Sequence, residues 1–194
     1  MKTPLIVLMA SLPLAGCISF AAKPPPSLLT IQAQSAPAVG QTQDSARGKA
    51  IGIQVPSVPQ ELATARVPVQ ESATSIAYVK DAQWAESPAK LFARLVSDTL
   101  TARMGRVVLS PRETSINAGD MLSGELRQFG MDAARREAVV TFDAALIRDG
   151  KPAVEKRRFE AHVPVGRIDR DSVGPALNQA ANQVAQQVAD WVGR

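Results

Sequence analysis

Apolar positions along this chain recur at two spacings, one of two residues and one of three to four. Ile51, Ile53 and Val55 alternate with Gly52 and Gln54, and Val140, Phe142, Ala144 and Leu146 alternate in the same way. A period of two places one apolar face on a strand, so both stretches are predicted strands. Less regular patterns of the same kind predict strands over residues 27–33, 65–70, 74–79, 106–110, 120–129 and 154–163. Pro68 cannot donate to a ladder, which predicts an edge position for its strand. Leu91, Phe92, Leu95, Val96, Thr99 and Leu100 recur three and four residues apart, as do Leu177, Ala181, Val184, Val188 and Trp191. Each set makes the apolar stripe of an amphipathic helix. Ser87 and Pro88 supply an N-cap and a first-turn proline for the first helix, and Gly105 supplies its stop. Ser172 is the predicted cap of the second helix, near residues 173–192. Asp149-Gly150 marks a hairpin turn. Residues 34–49, rich in Ser, Ala, Gln and Gly without an apolar period, read as a loop. The predicted fold class is α+β: a single domain with a mostly antiparallel sheet and two amphipathic helices packed on it.

The first 26 residues follow another pattern. Lys2 precedes an apolar run from Leu5 to Leu14, and Leu14-Ala15-Gly16-Cys17 closes it. A charged start, a run of roughly 7–15 apolar residues and small residues before a cut describe a secretory signal. The run is too short to span a membrane, which takes about 20 apolar residues. Leu14, Ala15, Gly16 and Cys17 together resemble the lipobox of bacterial lipoproteins. Cys17 is then the lipid-attachment residue, because a thioether to diacylglycerol forms only on sulfur. It is the only cysteine in the chain, so it has no disulfide partner. The alternative is an ordinary signal peptide with an incidental cysteine. The predicted organisation is a signal peptide over 1–16, a lipidated tether over 17–26 and a folded domain over 27–194. Pro24-Pro25-Pro26 favours an extended tether, of at most about 30 Å at roughly 3.3 Å per residue.

Composition narrows the reading. Removing residues 1–16 leaves 178 of the 194, 45% of the whole chain is apolar, and only 4% is aromatic. A core is therefore expected, resting on Val, Leu, Ile and Ala. The formal charge of +4 includes Lys2 and is spread along the chain. It forms no clustered basic stripe, so nucleic acid is not an expected partner. A mild positive excess does suit contact with anionic phospholipid headgroups.

The search for reactive chemistry is mostly negative. His162 is the single histidine and falls on the outward side of a predicted strand. No serine sits in a nucleophile elbow, one histidine without a free cysteine is too few ligands for zinc, and no phosphate-cradling loop is present. The acidic pairs Asp120/Glu125 and Asp169/Asp171 read as solvated loop residues. No catalytic residue, metal or cofactor is predicted, and the chain is not expected to be an enzyme. Lys156-Arg157-Arg158 reads as a charged strand edge that discourages further pairing, or as a contact for headgroups or an acidic partner. Tyr78 and Trp84 are the candidate partner-binding residues. Trp84 precedes the first helix, where it can staple onto Phe92 or face a partner as an aromatic anchor.

The order of these features resembles the ABC-type transport auxiliary lipoproteins, which include the paraquat-inducible protein C lipoproteins. The likeness rests on the lipobox, the segment Ser27-Leu-Leu-Thr-Ile-Gln, the stretch Val55-Pro-Ser-Val-Pro-Gln-Glu-Leu62, and Trp84-Ala-Glu-Ser-Pro88 running into an amphipathic helix. After Val-Pro-x-x-Leu the family usually continues with charged and proline residues, whereas this chain reads Ala63-Thr-Ala-Arg. The resemblance makes 27–194 an auxiliary lipoprotein domain. It implies an accessory subunit that docks an MCE-domain protein of an ABC-type intermembrane lipid transporter. Phospholipid contact and homo-oligomerisation are both compatible with it. Ile18, rather than Asp, follows Cys17, which resembles lipoproteins sorted to the periplasmic face of the outer membrane. A structural envelope lipoprotein that binds another envelope component is the alternative, since fold does not fix function.

Overall fold

The computed structural model describes residues 27–44, 50–109 and 119–194. Leu14, Ala15, Gly16 and Cys17, and the tether through Pro26, lie outside the described residues.

The longest strand, β5 (Asp120–Asp132), organises the sheet. One edge of β5 pairs along its whole length with β6 (Glu137–Ile147), antiparallel, and β6 pairs in turn with β7 (Val154–Pro164). The other edge is shared. β1 (Ile51–Ile53) runs parallel to its first residues, from Asp120 to Leu122, and β2 (Arg66–Ser72) runs parallel to Met131 and Asp132. Between them, Ser57 bridges to Glu125. β4 (Val108–Leu109) lies parallel beyond β1, and β3 (Ser75–Gln83) lies antiparallel beyond β2. The three long ladders are antiparallel hairpin pairs, but the sheet is mixed. A period of two reports which face is buried, not which way the neighbouring strand runs.

Pro68 does not mark an edge. β2 lies between β3 and β5, and its proline sits where the β2–β3 register slips, from Arg66↔Gln83 to Pro68↔Tyr78. The ladder to β5 begins only at Val69. A missing N–H is tolerated at such a bulge inside a sheet as well as at an edge.

Both helices lie on one face. α1 (Pro88–Met104) buries Leu91, Phe92, Leu95, Val96 and Leu100, and ends at Gly105 in the left-handed conformation, φ 61°. α2 (Arg170–Val192) buries Val173, Leu177, Ala181, Val184 and Val188. Phe92 meets Phe142 of β6 edge-on at 5.1 Å, and Phe159 of β7 meets Trp191 at 5.5 Å. Asp169, not Ser172, is the N-cap of α2. Its carboxylate accepts the Ser172 N–H at 3.0 Å, while Ser172 Oγ accepts the Asp169 N–H at 3.2 Å. Ser172 is thus the third residue of the helix, and two backbone donors are satisfied reciprocally.

Residues 27–34 do not form a strand. Leu29 makes one bridge to Trp84: its N–H donates to the Gln83 carbonyl at 2.7 Å and its carbonyl accepts from Ala85 at 2.8 Å. Beyond that bridge the segment lies along α2. Gln32 and Gln34 donate their N–H groups to Asn178 Oδ1 and Asn182 Oδ1, both at 2.8 Å. Two extended residues advance about 6.6 Å and four helical residues about 6 Å. Asparagines four apart on a helix therefore match amides two apart on an extended chain.

Candidate docking face

With α1 and α2 on one side, the other face of the sheet carries only the short 3-10 turn Gln60–Leu62, at its β2 end. The register defines what it presents. Glu137, Val139, Thr141, Asp143, Ala145 and Ile147 of β6 point to this open face, because the alternate residues Ala138 to Leu146 fill the core. Opposite them on β7 stand His162, Glu160, Arg158, Lys156 and Val154.

The middle of the face is a charge ladder. Arg158 grips Asp143 with two bonds, 2.6 and 2.7 Å, and Arg127 lies 3.4 Å from Glu125 and 3.8 Å from Asp143. The hydrogen bond from Arg158 holds the Asp143 carboxyl below its ordinary range. His162 is exposed between two carboxylates, with Nε2 2.8 Å from Glu160 and Nδ1 3.0 Å from Glu137. A neutral imidazole has one N–H and cannot donate to both, so the site favours the imidazolium. Accordingly the His162 pKa is raised, first by the bond to Glu160 and also by Glu137, against partial burial. Glu160 is lowered in return, by His162 and then by the Thr141 hydroxyl, which donates to it at 2.8 Å.

Of the basic run on β7, then, Arg158 is tied to β6. Arg157 lies on the helix side with its guanidinium 5.2 Å from the Phe159 ring, and Lys156 stands exposed on the open face.

The structure separates the two aromatic candidates. Trp84 is 2% exposed. Its ring packs at 5.2 Å on Phe129 of β5 rather than on Phe92. A ring so enclosed presents no surface to a partner, and the partner-facing reading of Trp84 is corrected to a core role. Its neighbour Phe129 is 45 residues away in sequence, a proximity that no local pattern encodes. Tyr78 is half-buried on the open face, opposite Pro68, with the Arg66 guanidinium 3.9 Å over its ring. Near it, Leu62, Pro68, Ile76, Gly130 and Val139 line a small cavity of about 60 Å³.

Other positions matter that the chain pattern did not single out. Exposed Ile76, Ile147 and Val154 lie on the open face. Asn178 and Asn182 hold the N-terminal segment, and their four-residue spacing on one helix face was the available signal. Among the described residues, no cluster of three metal-ligating side chains occurs, and no helix is long and apolar enough to cross a membrane.

Comparison with known proteins places this architecture. A family model described as "ABC-type transport auxiliary lipoprotein component" matches residues 29–189. The chain belongs to that family. No curated protein matches this auxiliary lipoprotein. Among solved structures it is similar to protein XCC0632 from Xanthomonas campestris, at 19% identity and a TM-score of 0.72, covering 86% of this chain and 94% of that one. It is also similar to an uncharacterized protein of known crystal structure, at 18% identity and a TM-score of 0.65, covering 74% of this chain and 92% of that one. At these identities the two likenesses show that the auxiliary lipoprotein shares their fold.

Proposed function

We propose that this auxiliary lipoprotein is held by lipid on Cys17 at the periplasmic face of the outer membrane. There it serves as a non-catalytic docking subunit of an MCE-domain lipid transport system. The observation that carries the reading is the family match across residues 29–189, joined to the Leu14-Ala15-Gly16-Cys17 motif ahead of it. Ile18 after the cysteine supports the outer-membrane address. The sheet face opposite the two long helices supports docking, because its β5–β7 side chains from Met121 and Glu125 to Lys156 and Arg158 remain open to solvent.

The test is co-purification of the full-length lipidated protein with an MCE-domain protein from detergent-solubilised envelopes. Retention of that protein, together with its ATPase and permease, is expected. A folded lipoprotein that retains none of them overturns the reading.

A further inference from the structure

We propose that the end of the open face remote from Ser27, the row Met121–Ile147–Val154 with Lys156 beside it, is the patch that receives the partner protein. The partner surface it fits is apolar and flanked by carboxylates. This assignment rests on the docking function proposed above.

The row is set by register. Met121 of β5 is opposite Ile147 of β6, and Ile147 is opposite Val154 of β7. Ile147 is 44% exposed and Val154 52% exposed, and Met121 beside them is partly exposed. A lone exposed aliphatic residue is ordinary, but three on adjacent strands in one row form a contiguous patch of the kind that marks an interaction site. None of the three belongs to the buried core.

The next row toward the centre is Ser123, Ala145 and Lys156. Here the surface opens into a hollow of about 580 Å³, floored by Gly124 and Ala145 and walled by Lys156 and Arg158. Gly124 holds φ 157°, and a Cβ there would run into the Asp143 carbonyl and the Phe142 ring on the core side. The neighbouring acids are engaged, Asp143 by Arg158, Glu125 by Arg127 at 3.4 Å, and Glu155 by Arg148 at 2.8 Å. Lys151 and Lys156 are exposed, so the patch favours carboxylates on what it binds.

The row lies far along the domain from the described residue nearest the tether. Ser27, the described residue nearest the tether, is hydrogen-bonded to Arg170 at the start of α2. Arg148, next to Ile147, donates to the Val192 carbonyl at the end of α2, at 3.2 Å. A helix of 23 residues is roughly 34 Å long at 1.5 Å per residue. The row and Ser27 thus sit at opposite ends of α2. A second copy joined row to row would set Lys156 near Lys156, and like charges oppose such a pairing.

The experiment measures retention of the MCE-domain protein by full-length lipidated protein carrying Ile147→Asp with Val154→Asp, Lys156→Glu, or Ile76→Asp at the other end of the face. The double substitution is expected to weaken retention about tenfold or more. Lys156→Glu should weaken it most at low salt, and Ile76→Asp should leave it unchanged. If the double aspartate variant does not fold, Ile147→Thr with Val154→Thr replaces it, with loss of retention again expected. Unchanged retention by the folded row variants overturns the assignment and leaves the docking function standing. So does loss confined to Ile76→Asp, or a change only in self-association. Failure of the unaltered protein to retain the MCE-domain protein overturns the docking function and this assignment together.

Discussion

Asn182 of α2 donates its Nδ2 to the carbonyl oxygen of Gln32 at 2.9 Å, while its Oδ1 accepts the N–H of Gln34 at 2.8 Å. One buried side chain thus stands in for the strand that residues 27–34 lack, satisfying a backbone acceptor and a backbone donor. Asn182→Ala leaves both without their partner, and about 1–3 kcal/mol of stability should be lost. Asn178→Ala, which removes one bond in a more exposed setting, should cost less. Urea unfolding of the domain measures both, and equal, negligible effects would show that the segment is held by its apolar contacts alone.

Gly130 lies against Pro68. A Cβ on Gly130 would sit 2.5 Å from the Pro68 carbonyl oxygen and 2.8 Å from its ring Cγ. Gly130→Ala should therefore destabilise the domain by about 1–3 kcal/mol through overpacking. Pro68→Ala should not rescue it, because the nearest atom is backbone. Thermal unfolding of the single and double variants tests this, and full rescue would refute it.

Trp84 contributes bulk rather than a hydrogen bond. Its Nε1 is buried with no partner among the described residues. Trp84→Ala should cost about 3–5 kcal/mol. Trp84→Phe should cost much less, since it gives up no hydrogen bond and keeps an aromatic against Phe129. Comparable losses in the two variants would mean that the indole N–H has a partner in solution.

The clamp around His162 predicts a pH dependence. Its folded pKa lies above the unfolded value, which is about 6.5. The stabilisation is therefore complete below the unfolded value and fades as pH rises through the folded one. The groups facing the ring are Glu137 and Glu160, with Thr141 and Arg158 alongside. Relative to His162→Gln, the unaltered domain should lose stability as pH rises from about 6.5 into the mildly alkaline range. Denaturation midpoints across that range measure it, and a constant difference between the two proteins would exclude the clamp as its source.

Cys17→Ser removes the only sulfur able to carry diacylglycerol, so membrane attachment of the expressed protein should be lost. Fractionation after a high-salt wash is the measurement. Continued sedimentation of the variant with membranes would point to attachment through the folded domain.

The chain pattern by itself determined the two helices, the core face of β6 and the hairpin turn that follows it. These are local matters: the spacing of Leu91 to Leu100, the alternation of Val140 to Leu146, and Gly150 with its positive φ of 71°. It also carried the lipobox motif, which is read as linear sequence. Tertiary structure decided the rest. Parallel partners on β5 placed Pro68 inside the sheet, because periodicity is blind to strand direction. Phe129, remote in sequence, drew Trp84 into the core. Asp169 took the cap predicted for Ser172, since each bonds the other's backbone N–H once the turn has formed. Packing both long helices on one side left much of the opposite face open. Only the register of β5, β6 and β7 then set Met121, Ile147 and Val154 side by side. That row is a property of three strands brought together, and no single segment contains it.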